Sequence, residues 1–155
     1  MTADPGFERF YETEAQSVFR AVYLLSRDRV LAEDATQEAF ARALERWERL
    51  ASQPWSGGWV TTTALNIARR GLRRRRPLGS VPRDNPEPEE TIDLWTRVKE
   101  LPRRQQEAVV LHYRMGFSVE EVARVMGCRD GTVRTHLARA REVLRAALKG
   151  VSDED

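Results

Sequence analysis

The stretch from Phe117 to Leu148, FSVEEVARVMGCRDGTVRTHLARAREVLRAAL, constrains the fold more than any other part of the chain. Val119, Val122, Ala123 and Met126 recur at the spacing of one helix face. Ser118 precedes them with Glu121 three residues on, the pairing in which each side chain satisfies the other's free amide. Gly127 stops this helix where a left-handed conformation is cheap only for glycine, and Asp130 starts the next. There Val133, Leu137, Ala140, Leu144 and Ala147 form the buried stripe, so Thr135, Ala138, Arg139 and Glu142 point the other way. Arg134, His136, Arg141 and Arg145 flank that outward face. A short helix, a glycine turn and a longer arginine-bearing helix make a helix-turn-helix, whose second helix enters the major groove. The plain alternative is a helical hairpin with solvated arginines, but caps, turn and basic face together favour DNA binding.

The rest of the chain reads as helix and linker rather than strand, because no two-residue alternation is sustained. Phe7, Phe10, Tyr11, Val18, Phe19 and Val22 give a first amphipathic helix. A break at Ser26 to Asp28 follows. A second helix, roughly Val30 to Leu50, turns Leu31, Ala35, Ala39, Phe40, Ala43, Leu44 and Trp47 inward and leaves Asp34, Gln37, Glu38, Arg42 and Glu45 outside. SQPWSGGW then interrupts, since proline and paired glycines break helices. A third helix restarts near Trp59 or Val60 with Val60, Ala64, Ile67 and Ala68 on one side. Its other side carries Thr62, Asn66, Arg69, Arg70 and Arg73.

Net charge is only +2, yet Arg69, Arg70, Arg73, Arg74, Arg75 and Arg76 form one basic block. Such a block exceeds what the helix dipole needs at its C-terminus. Trp55 and Trp59 ahead of it are either core residues or rings on which unpaired bases stack while arginines hold phosphates. PLGSVPRDNPEPEE, residues 77–90, has four prolines and a negative balance and reads as a flexible linker. Beyond it Ile92, Trp95, Val98 and Leu101 share a face. A helix entered at Pro102 as its first residue buries Ala108, Val109 and Leu111, with His112 at its edge, before Gly116. The expected fold is therefore all-α: two small helical domains, the second of four helices.

The single cysteine, Cys128, excludes an internal disulfide and suits a reducing compartment. Neither a membrane-spanning apolar run nor a signal peptide is evident, so a cytoplasmic protein is expected. His112, His136 and Cys128 show no metal-ligand spacing, and no phosphate loop or nucleophile elbow occurs. No catalysis, cofactor, metal or small-molecule substrate is expected.

Three segments carry a family resemblance. AEDATQEAFARALERW resembles the core-polymerase-binding helix of the extracytoplasmic-function (ECF) sigma factors of the sigma seventy family, especially small actinobacterial members. WVTTTALNIARRGLRRRR resembles their promoter-melting helix, and LPRRQQEAVVLHYRMGFSVEEVARVMGCRDGTVRTHLARAREVL their upstream-element reader. The resemblance covers Phe7 to Leu148 and implies an alternative sigma factor that binds core RNA polymerase and promoter DNA, duplex and melted.

By position, it implies polymerase contacts at Asp34, Gln37, Glu38 and Arg42. It places minus-ten contacts at Trp55, Trp59, Thr62, Asn66, Arg69, Arg70 and Arg73, with Ser52 to Gly58 as a loop that captures a flipped base. Upstream-element contacts fall on Arg134, Thr135, His136, Ala138 and Arg139, with Arg141 and Arg145 on phosphates. His136 stands where arginine or lysine is usual, which weakens a contact and makes it pH-dependent. Ala138 replaces a larger side chain and leaves a small apolar contact. The implied division is 1–76 for region two, 77–90 for the linker, 91–150 for region four and 151–155 for an acidic tail, with no further C-terminal domain. An anti-sigma partner covering the exposed surfaces is also implied. Two rival readings are a stand-alone helix-turn-helix regulator whose N-terminal helices sense a ligand or dimerise, and a helical interaction protein that sequesters a partner and uses no DNA.

Overall fold

The computed structural model describes residues 4–75 and 89–152, and all regular elements among them are helices. The chain divides into two compact units at the Asp84–Asn85 boundary. The linker expected at 77–90 lies largely outside the described residues, although its last two positions already belong to a helix that starts at Glu89.

In the N-terminal unit α1 spans Pro5–Ser26, α2 Arg29–Glu45, α3 Trp47–Leu50 and α4 Ser56–Arg75. Asp4 opens α1 by accepting the Gly6 amide at 2.7 Å, and Asp28 opens α2 by accepting that of Leu31 at 3.0 Å. The buried stripe of α2 is largely alanine, with Ala32, Ala35, Ala39 and Ala43 all fully enclosed. Small side chains let α1 and α4 approach closely, and Val18, Val22, Leu24, Val60, Ala64 and Leu65 fill the space between. At one crossing the fit is tight: a Cβ on Gly71 would collide with Leu31 Cδ1 unless that side chain shifts. Phe7, Phe10, Tyr11, Phe40 and Trp47 form an aromatic cluster, with Phe10 and Trp47 centred 5.0 Å apart.

Three expectations fail here. The single helix from Val30 to Leu50 is broken at Arg46, whose φ of −111° and ψ of 17° are not helical. Leu44, expected inside, is 47 % exposed because it lies past the edge of the narrow alanine stripe. The SQPWSGGW segment also interrupts less than its composition suggests. Helix α4 begins at Ser56, and the Thr61 hydroxyl donates to the Gly57 carbonyl at 2.8 Å. A Cβ on Gly57 would lie 3.2 Å from the Glu14 carboxylate, so burial against α1 offsets the roughly 1 kcal/mol that glycine costs a helix.

In the C-terminal unit α5 spans Glu89–Lys99, α6 Arg103–Val109, α7 Val119–Met126 and α8 Asp130–Ser152. Trp95, Val98 and Leu101 are buried as expected, while Ile92 and Ala147 lie outside the described side chains. Pro102 sits one position earlier than expected: with ψ of 146° it is the residue before the helix, not its first member. α6 runs on into a wide π-helical turn, Val110–Arg114, closed by the Met115 amide on the Val110 carbonyl at 2.9 Å. His112 is half-buried, its Nδ1 2.7 Å from the Phe117 carbonyl oxygen.

Candidate nucleic-acid and polymerase interfaces

The reading pair is built as the sequence dictates. Ser118 Oγ accepts the Glu121 amide at 3.1 Å, and Glu121 Oε1 accepts the Ser118 amide at 3.0 Å. Gly127 adopts φ 69° and ψ 39°, closing α7 in the left-handed conformation. Val133, Leu137 and Ala140 bury one side of α8, which leaves Arg134, Thr135, Ala138, Arg139, Arg141 and Arg145 exposed on the others.

These exposed groups differ in readiness. Arg139 has no hydrogen-bond or ion-pair partner among the described residues, so its five donors are available to a base edge. Thr135 donates its hydroxyl to the Gly131 carbonyl at 3.0 Å and keeps its lone pairs and methyl outward. Arg134 lies 4.0 Å from Glu120, an exposed pair easily exchanged. Arg141 donates to the Tyr113 hydroxyl at 2.8 Å, a link that no sequence periodicity announces.

His136 sits between the buried stripe and the exposed face of α8. It is half-buried, with Nδ1 enclosed and without a hydrogen-bond partner. Burial lowers its pKa, and the neighbouring charges of Arg104 and Arg139 lower it further against a smaller opposing pull from Glu107. The lowered pKa favours the neutral ring near pH 7.

In the N-terminal unit, Asp34, Gln37 and Glu38 are exposed on one side of α2, opposite Ala35, Ala39 and Ala43. Gln37 donates to the Tyr11 hydroxyl at 2.8 Å, and Arg42 pairs with Glu38 at 2.6 Å. On α4, Arg70 and Arg73 are exposed, while Thr62, Asn66 and Arg69 are half-buried. Arg69 donates to Asn66 Oδ1 at 2.8 Å. Trp55 and Trp59 are each half-buried, and Trp55 Nε1 is enclosed without a partner. The Arg46 guanidinium stands 5.7 Å from the centre of the Trp59 ring. Arg46, Tyr113 and Arg104 are the neighbours of the site that sequence reasoning missed, since each reaches it across the fold. No helix among the described residues is long and apolar enough to cross a membrane.

An all-helical chain with a helix-turn-helix in one unit and a polar-faced three-helix core in the other defines a class of DNA-binding transcription protein. Residues 10–77 match the family Sigma-70 region 2, and residues 91–144 match Sigma-70, region 4. The chain is 32% identical to the ECF RNA polymerase sigma factor SigE of Mycolicibacterium smegmatis over 98% of its own length and 65% of that protein's. It is 31% identical to ECF RNA polymerase sigma factor SigC of Mycobacterium tuberculosis, over 91% of this chain and 82% of the other. The fold matches that of the sigma factor RpoE from Bartonella quintana, solved with the anti-sigma factor NepR, at a TM-score of 0.73, 24% identity, and 92% and 96% coverage. It also matches CnrH, solved with the cytosolic domain of CnrY, at a TM-score of 0.72, 22% identity, and 93% and 88% coverage. The chain belongs to the sigma-70 family, and within it to the ECF RNA polymerase sigma factors.

Proposed function

We propose that this sigma factor carries core RNA polymerase to promoters by splitting the work between its units. Residues 1–76 hold the polymerase through the α2 face of Asp34, Gln37, Glu38 and Arg42, and engage the minus-ten element through α4 and the segment before it. Residues 91–150 read the upstream element through Arg134, Thr135, Ala138 and Arg139, with Arg141 and Arg145 on phosphates. The linker proposed at 77–90 joins the two, its last two residues being the start of α5, and residues 151–155, of which the first two still belong to α8, end the chain with acidic side chains. Bond making belongs to the polymerase, which places this chain in the cytoplasm without catalytic chemistry of its own.

The observation that carries this reading is the Arg139 side of α8, exposed and unpartnered on a helix whose opposite side is sealed. RpoE, a solved sigma factor of like fold, is held by the anti-sigma factor NepR, and a protein of that kind covering the α2 and α8 faces is part of the proposal. Run-off transcription with purified core polymerase on a genomic promoter library tests it. Promoter-specific transcripts that depend on the added chain are expected; their absence would overturn the reading.

A further inference from the structure

Among the described groups outside the exposed faces, one carboxylate stands apart. Glu107 of α6 is fully buried, yet it is an acid. Arg103 Nε reaches its Oε1 at 3.2 Å and Arg104 Nη1 reaches its Oε2 at 2.9 Å. A buried carboxylate costs several kcal/mol unless paired, so the two guanidinium groups are held to it strongly.

Arg104 does more than neutralise Glu107. Its other terminal nitrogen, Nη2, donates to the carbonyl of Met126, the last residue of α7. That carbonyl is one of the four at a helix end with no intrahelical donor, and it lies at the negative pole of the helix. The turn that follows is tight. Gly127 is left-handed, and the Cys128 amide returns to the Ala123 carbonyl at 3.0 Å. Three residues after the turn starts, α8 begins. The charge of Arg104 also acts on His136 of α8, so this guanidinium lies where all three helices meet.

We propose that Arg104 is the positioning residue of the promoter reader. Anchored on Glu107, it fixes the C-terminal end of α7 and with it the direction in which α8 leaves the turn. The reach of Arg134 and Arg139 to base edges depends on that direction, and base edges, unlike phosphates, carry the sequence information. The inference rests on the upstream-element role given to α8 above.

The test uses full-length chain with core polymerase and a pool of promoters randomised over the upstream element, transcripts being sequenced. Arg104→Lys keeps a charge beside Glu107 but cannot span Glu107 and Met126 together; Arg104→Met fills similar space with no donor. Both are expected to flatten base preference about tenfold, which corresponds to about 1.4 kcal/mol. Val98→Ala, a cavity in α5, serves as the structural control: it lowers thermal stability and leaves preference unchanged. A folded Arg104 variant with wild-type preference overturns the proposal. So does equal flattening by Val98→Ala, or a failure of both Arg104 variants to fold, which would make the group a prop of the core. Absence of promoter-specific transcripts with the unaltered chain would instead remove the sigma reading itself.

Discussion

The polar surface of α2 and the outward surface of α8 are both exposed, but they differ in how occupied they are. On α2, Gln37 already bonds Tyr11 of α1, and Glu38 bonds Arg42. On α8 Arg139 stands free, over a sealed apolar stripe. A partner meeting α2 must exchange existing bonds, so little net energy comes from each exposed pair. A base meeting Arg139 displaces only water. Discrimination should therefore concentrate in α8, and α2 should act through area and fit.

The largest expected effect tests that contrast directly. Arg139→Ala should shift upstream-element preference by about tenfold to a hundredfold, as a bidentate arginine–guanine contact is worth about 1 to 3 kcal/mol. Arg73→Ala should lower transcription evenly across the same promoter pool, because phosphate contacts carry no sequence information. Equal preference shifts for both would erase the distinction.

Gly71→Ala comes next and acts on the N-terminal unit alone. Its Cβ would collide with Leu31 Cδ1, and overpacking of this kind costs about 1 to 3 kcal/mol. Thermal melting of the full chain should show one transition lowered, with upstream preference intact. Ser118→Ala should do the converse at about 1 kcal/mol, the usual worth of a helix cap, by lowering the transition of the C-terminal unit.

Acid should separate the two units most subtly. The pKa of His136 is lowered in the fold, so the unfolded chain takes up its proton first, and the C-terminal unit loses stability as pH falls below the ordinary histidine value. Burial raises the pKa of Glu14, so the folded chain takes up that proton first, and the N-terminal unit is relieved as pH falls toward the ordinary glutamate value. Melts recorded from pH 7 down to pH 4 should show slopes of opposite sign for the two side chains, removed in turn by His136→Gln and Glu14→Gln.

What was legible in the sequence is what local hydrogen bonding decides. The Ser118–Glu121 box, the Gly127 stop and the Val133, Leu137, Ala140 stripe each involve residues within one or two turns, and all are present. What was illegible depends on residues far apart in the chain. The paired glycines start a helix because Glu14 packs on Gly57, and beyond the break at Arg46 the short α3 returns Leu50 to the core. His136 occupies an outward flank by periodicity, yet its ring turns into the space beside α6. Periodicity fixes the direction of a Cβ and not where a flexible ring comes to rest.

The wide turn at Val110–Arg114 has a consequence for the phosphate contact proposed at Arg141. One surplus residue in a helix delays each later side chain by about 100° around the axis. Tyr113 lies within that delayed stretch, 54 % exposed, with its hydroxyl against Arg141. Removing a single residue there would rewind the spiral, swing the phenol away and leave Arg141 to wander, so the steadiness of a distant guanidinium is written into the winding of another helix.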